Sequence, residues 1–222
     1  MAKVKQGFKP ESVLARTGKP LSHWFKVLDK FDVKKKGHKE AAKMLREKHG
    51  VSAWWSQMLT VQYEQERGLR KPLQRHDRRF AITVSRTVKA SLERVWACWA
   101  DADMLSQWFT TQHEHDFVVG GHYRNVDRDS GVYLRIVPLK RIRFTWEQKQ
   151  HQPGSEVEVS FARKGKDRVL IALDHGKLQT KKDALDLKHG WSWAMDCLKM
   201  FLETGRKIGF EEWKASKTSG KR

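Results

Sequence analysis

Two histidines alternate in HEHD, residues 113–116, so an extended backbone places His113 and His115 on one side. Paired imidazoles are metal-ligand chemistry, but a metal needs a third ligand and the pattern supplies none. Neither a metal nor a cofactor is therefore expected. His175 ends the segment IALDH and, with Tyr123, offers acid/base or hydrogen-bonding chemistry. No second catalytic group accompanies it, so a buried imidazole satisfied by a neighbour is the plainer reading. Tyr123, Arg124 and Arg135 are of the types that contact an anionic or phenolic ligand, although both arginines equally suit a solvated convex face. GxSxG, Walker, HExxH and dinucleotide motifs are all missing, and VGG at 119–121 reads as a tight turn or bulge. No catalytic residue is assigned, and the chain is read as a binding module rather than an enzyme.

The elements that position these residues fall into two patterns. Residues 1–72 read as a basic three-helix domain, 73–79 as a charged linker, 80–205 as a second domain and 206–222 as a basic tail whose end, KASKTSGKR, looks disordered. In the first domain Ser22 is the expected N-cap of a helix burying Trp24, Val27, Leu28 and Phe31. A second helix carries Ala41, Met44, Leu45 and His49 and stops at Gly50. The third, VSAWWSQMLTVQYEQERGLR, sets Trp54, Trp55, Met58, Leu59, Val61 and Tyr63 on an apolar arc; its opposite face, with Ser56, Thr60 and Glu64, is not basic. Its aromatics are expected to build core rather than enter a nucleic-acid groove.

The net charge of +19 is unevenly placed: +12 lies in residues 1–79, +3 in 80–205 and +4 in 206–222. The ends thus leave nucleic acid open as a partner, but charge runs are more often solvated surface. Apolar runs are too short to span a bilayer and the N-terminus lacks a secretory signal, so a cytoplasmic protein is expected. Cys98 and Cys197 have no disulfide-scaffold or zinc spacing and read as small buried residues.

From Phe80 onward short alternating segments dominate. RIRFTWEQ, residues 141–148, is the clearest, with Ile142, Phe144 and Trp146 on one face. Such a meander needs a cover for its apolar face, and residues 181–204 supply a long helix with Ala184, Leu187, Trp191, Ala194, Met195, Leu198 and Leu202 in one stripe. The stretches ERVWACWAD, MLSQWF, VGGHYR, SGVYLRIVPLKRIRFTWE, ALDHGKL and HGWSWAMDCLKMFLETG resemble the activators of heat-shock-protein-90 ATPase, within the START-like, helix-grip (SRPBCC) superfamily, over residues 80–205. TGKPLSHWF, GHKEAAKMLREKHGVSAWW and YEQERGLR are similar to an uncharacterised helical domain, over residues 14–70.

The resemblance implies an α+β fold: an antiparallel sheet curved around a long C-terminal helix, enclosing an apolar cavity and preceded by a small all-α bundle. It also implies one of three activities, namely binding of a hydrophobic or aromatic small molecule, contact with the chaperone or another protein partner, or polyketide cyclase or hydrolase chemistry. The residues expected to line the cavity are Trp108 and Phe109 at an entrance, Phe117, Tyr123, Leu134, Phe144, Trp146, Phe161 and His175 on the sheet, and Trp191 and Met195 on the helix. A second stripe on that helix, Trp193, Cys197 and Met200, is expected to dock the helical bundle or a second subunit.

Overall fold

The computed structural model describes residues 9–219 apart from 76, 78 and 152. The chain divides into two compact units, Met1–Arg78 and Arg79–Arg222.

The described residues of the first unit form five helical segments: α1 (Pro10–Thr17), α2 (Leu21–Phe31), α3 (Val33–Lys36), α4 (His38–His49) and α5 (Ala53–Glu66). Two of them, α1 and α3, escape the periodicity reading because they span only 8 and 4 residues. Pro20, not Ser22, occupies the N-cap of α2, and Gly50 ends α4 at a φ of +65°, where a side chain would be strained. Val13, Trp24, Leu28, Leu45 and Leu59 form the core.

Helix α5 departs from the expected arc. Trp54 is 53% exposed, whereas Ser56, Thr60 and Glu64 are buried. Buried polar groups cost little when each finds a partner. Ser56 Oγ donates to Val51 O at 3.1 Å, Thr60 Oγ1 to Ser56 O at 2.8 Å, and Glu64 pairs with Arg70 at 2.6 Å. Trp55 and Tyr63 still pack on the core.

The second unit is a seven-stranded antiparallel sheet with one long helix against it. Its strands are β1 (Phe80–Lys89), β2 (Gln112–His115), β3 (His122–Asn125), β4 (Ser130–Val137), β5 (Arg141–Trp146), β6 (Ser155–Arg163) and β7 (Arg168–Leu178), in the spatial order β1-β7-β6-β5-β4-β3-β2. Between β1 and β2 run two short helices, α6 (Leu92–Ala100) and α7 (Ala102–Trp108). The long helix α8 (Lys181–Thr204) follows β7, and α9 (Phe210–Ser219) ends the described chain. Register shifts put one extra residue in β7, β2 and β4 and interrupt the ladder, and such bulges bend a strand and curve a sheet. Alternation holds where it is strongest: Ile142, Phe144, Trp146, Val157, Val159, Phe161, Ile171 and Leu173 are buried, all on the face that receives α8. The α8 stripe from Ala184 to Leu202 is buried as expected.

Two expectations are corrected here. Leu134 is 40% exposed, and its neighbour Tyr133 is buried instead. The register shift between Tyr133 and Arg135 explains the exchange, because one extra residue moves a side chain to the opposite face. The stripe Trp193, Cys197 and Met200 is packed within its own unit, by Ile208 and Trp213 of the C-terminal segment. Trp193 Nε1 donates to Ile208 O at 2.9 Å, and Trp213 Nε1 to Asp196 Oδ2 at 2.8 Å. Burial raises the Asp196 carboxyl, but bonds from Arg86, Trp213 and Lys217 outweigh it and bring its pKa to about 2. These contacts hold the C-terminal segment against α8.

Gly131 sits where β3, β4 and β5 converge. A Cβ there would lie 2.1 Å from Thr145 O and 2.6 Å from the Tyr123 ring, both fixed by the Tyr123 hydroxyl donating to Thr145 O at 2.7 Å. Gly131→Ala is therefore expected to destabilise this unit by about 3 kcal/mol, the upper end of overpacking costs, measured as a fall in its urea midpoint. Among the described residues, no helix is long and apolar enough to cross a membrane.

Candidate functional site

Aromatic side chains gather where the open end of the sheet meets the first half of α8. From β5 comes Trp146, from α8 Trp191, and from the residue after α7 comes Phe109. Phe109 lies between two tryptophans, with ring centroids 5.3 Å from Trp108 and 5.8 Å from Trp191, nearly parallel to both. Trp146 and Trp191 approach to 4.9 Å. Trp108 is fixed behind them by donating Nε1–H to Cys98 O at 2.7 Å.

These rings separate two spaces. Inside, between sheet and helix, Tyr123, Tyr133, Phe144 and Trp99 close around a void of about 30 Å³, room for one water. Outside lies an open cleft of about 410 Å³, walled by Phe109, Trp146, Leu187, Trp191, Trp193 and Phe210. The ligand-sized space is thus at the mouth of the grip, and the interior expected to be a cavity is filled by aromatic rings. Gly190, on the wall formed by α8, leaves the cleft open: a Cβ built there meets nothing within 4 Å.

The rim of the cleft comes from turns. The β3–β4 turn is braced by Asn125, whose side-chain Nδ2 donates to Asp129 Oδ2 at 3.0 Å and whose Oδ1 accepts from the Asp129 backbone N–H at 2.9 Å, and Gln148 also donates to Asp129. Asp127 accepts from Thr110 Oγ1 at 2.6 Å. Burial raises the Asp129 carboxyl, an effect that the bonds from Asn125 and Gln148 oppose. Gln148, Gln150 and His151 from the β5–β6 turn, and Asp186 from α8, complete the rim.

Two buried indole N–H groups, of Trp99 and Trp146, have no hydrogen-bond partner among the described residues. Both rings line the inner void, and Trp146 also lines the cleft.

The expected site residues divide accordingly. Phe109, Trp146 and Trp191 line the cleft, and Tyr123 and Phe144 line only the inner void. Phe117 and Phe161 pack on Trp96 away from both spaces, and Trp108 and Met195 are core. Leu134 faces outward. Asp127, Asp129, Gln148, His151, Asp186, Gly190, Trp193 and Phe210 were not expected there; turn residues have no periodicity to mark them, and Trp193 was assigned to a docking patch.

His175 lines neither space. Trp191 Nε1 donates to His175 Nδ1 at 2.9 Å, so the neutral ring carries its proton on Nε2 and donates it to Ser155 Oγ, also 2.9 Å away. Ser155 Oγ in turn donates to Trp146 O at 2.8 Å. Burial pushes the imidazole down to about 3, so it is neutral over the physiological range. His115 is similarly occupied, donating to Ala100 O at 3.1 Å and accepting from the Tyr133 hydroxyl at 3.0 Å. Among the described residues, no three His, Cys, Asp or Glu side chains are grouped to hold a metal ion.

A protein family described as "Activator of Hsp90 ATPase homolog 1-like protein" matches residues 89–203, and a domain of unknown function (DUF4287) matches residues 10–65. No curated protein matches the chain. Among solved structures, the crystal structure of CalU16 from Micromonospora echinospora is 27% identical, with a TM-score of 0.55 over 64% of this chain and 84% of that one. The solution structure of the Aha1 dimer from Colwellia psychrerythraea is 19% identical, with a TM-score of 0.52 over 57% of this chain and 98% of that one. A conserved protein of unknown function from Enterococcus faecalis is 19% identical, with a TM-score of 0.51 over 72% and 95%. The last two show likeness of fold.

Proposed function

We propose, on the premise that the chain belongs to the family of Activator of Hsp90 ATPase homolog 1-like proteins, that it binds an apolar or aromatic small molecule in the cleft at the mouth of the grip. The observation that carries this reading is the cleft itself, about 410 Å³ of open space walled by Phe109, Trp146, Trp191, Trp193 and Phe210. That size is ordinary for a small-molecule pocket, and burying ligand carbon there contributes about 25 cal/mol per Å². Catalysis through His175 and Tyr123 has less support, since the imidazole is enclosed and both groups are committed to protein partners. Two buried free thiols, Cys98 and Cys197, support a reducing, cytoplasmic setting.

Gly190 supplies the test. Glycine inside a helix costs about 1 kcal/mol relative to alanine, so its place in the middle of α8 suits a need for space. Gly190→Ala is expected to raise the stability of this unit by about 0.5–1 kcal/mol. Gly190→Leu should stay folded but fill the cleft, and calorimetric titration with 1-naphthylmethanol should show binding to the native protein and none to this variant. Equal binding by both would reject the cleft. A protein-contact role, which the family's description supports, would instead leave Gly190→Leu fully competent for its partner.

A further inference from the structure

The polar groups of this cleft have a sign. In a chain with 45 Lys and Arg against 26 Asp and Glu, the described residues of the cleft lining include three carboxylates, Asp127, Asp129 and Asp186, and no Lys or Arg. Among the described residues the other titratable side chain on the lining is His151, whose Nδ1 lies 2.6 Å from Gln148 Oε1. Among the described residues Asp127 and Asp129 form no ion pair, and their hydrogen bonds come from neutral groups. Asp186 is paired with Lys182 at 3.8 Å, on a helix face where both side chains are half or more exposed, and water screens such a pair heavily.

Beneath these carboxylates stand indole and phenyl faces, whose negative quadrupoles attract a cation and do nothing for an anion. A carboxylate or phosphate ligand would meet like charge at the rim. A neutral hydrocarbon would draw nothing from the carboxylates.

We infer that the ligand is an aromatic or apolar molecule bearing a protonated amine or quaternary ammonium, its ring system against Trp146, Trp191 and Phe109 and its positive group facing Asp127 and Asp186. This rests on the small-molecule reading above and adds the class of ligand to it.

Three probes of one shape separate the cases: 1-naphthylmethylammonium, 1-naphthylmethanol and 1-naphthylacetate, titrated calorimetrically into the full chain at low and high salt. The ammonium probe is expected to bind tighter than the alcohol by about tenfold or more, and the acetate more weakly than either. Raising the salt should narrow the gap. The double variant Asp127→Asn with Asp186→Asn should remove the advantage of the ammonium probe over the alcohol. Equal affinities for ammonium and alcohol in the native protein, tightest binding of the acetate, or a preference that survives the double variant would overturn the inference while the cleft reading stands. Binding of none of the three would overturn both.

Discussion

Replacing Trp191 by alanine is expected to lower the unfolding free energy of the sheet and helix unit by about 3–5 kcal/mol and to abolish ligand binding. The ring is 3% exposed, stacks on Phe109, packs on Trp146 and donates a hydrogen bond to His175 Nδ1. Its removal would leave a cavity and a buried acceptor without a partner, two separate costs. Trp191→Phe separates them, keeping most of the ring while removing the donor, and should cost about 1–3 kcal/mol. Urea unfolding followed on the indole resonances of Trp146 and Trp193 reads this unit apart from the helical one. Equal midpoints for Trp191→Ala and the native protein would mean that α8 is not held through this residue.

The second large effect is a loss of stability in mild acid. An unfolded histidine takes up a proton near pH 6.5, whereas burial holds His175 neutral down to about 3. Between those values the unfolded state binds more protons, so stability falls as pH falls, by on the order of 1.4 kcal/mol per pH unit. The loss stops once the pH drops below the folded value. His115, lowered by its own burial, adds to the slope with the same sign. Asp196 contributes in a different window: its depressed pKa gives stability that is present above about pH 4 and is lost toward 2. His175→Gln keeps a group able to accept from Trp191 and donate to Ser155 but cannot titrate. Its stability should decline between pH 7 and 5 by about 2 kcal/mol less than that of the native protein. An unchanged slope would place the titrating group elsewhere.

The fold was legible because its strongest signals were periodic. Ile142, Phe144 and Trp146 alternate without interruption, and the α8 stripe repeats at helical spacing, so each specified a face and together a sheet with a helix upon it. Legibility failed where one local event changed the phase. At Tyr133 and Arg135 a bulge turned Leu134 outward, and nothing in GVYLRIVP announces it. In α5, hydrophobicity pointed to Trp54, but Ser56 and Thr60 found backbone acceptors and Glu64 found Arg70, so a polar face could turn inward. The end KASKTSGKR, residues 214–222, looked loose by composition, yet α9 runs on to Ser219; residues 220–222 lie outside the described residues.

The site was half visible. Its aromatic wall could be named because Trp146 and Trp191 belong to periodic elements. The acidic rim could not, since Asp127 and Asp129 sit in a turn and Asp186 on the exposed side of a helix. Volume is also beyond pattern: Tyr123, Phe144 and Trp99 might have framed a chamber, and only their packing shows that they nearly fill it.

The most direct test of the cleft is a titration of the ten indole N–H resonances with 2-acetylnaphthalene, a flat probe with one acceptor oxygen. Binding at the mouth of the grip predicts that Trp146, Trp191 and Trp193 shift together and saturably, while Trp24 and Trp54 of the helical unit stay in place. Shifts confined to the helical unit, or none at any tryptophan while the probe remains in solution, would contradict it.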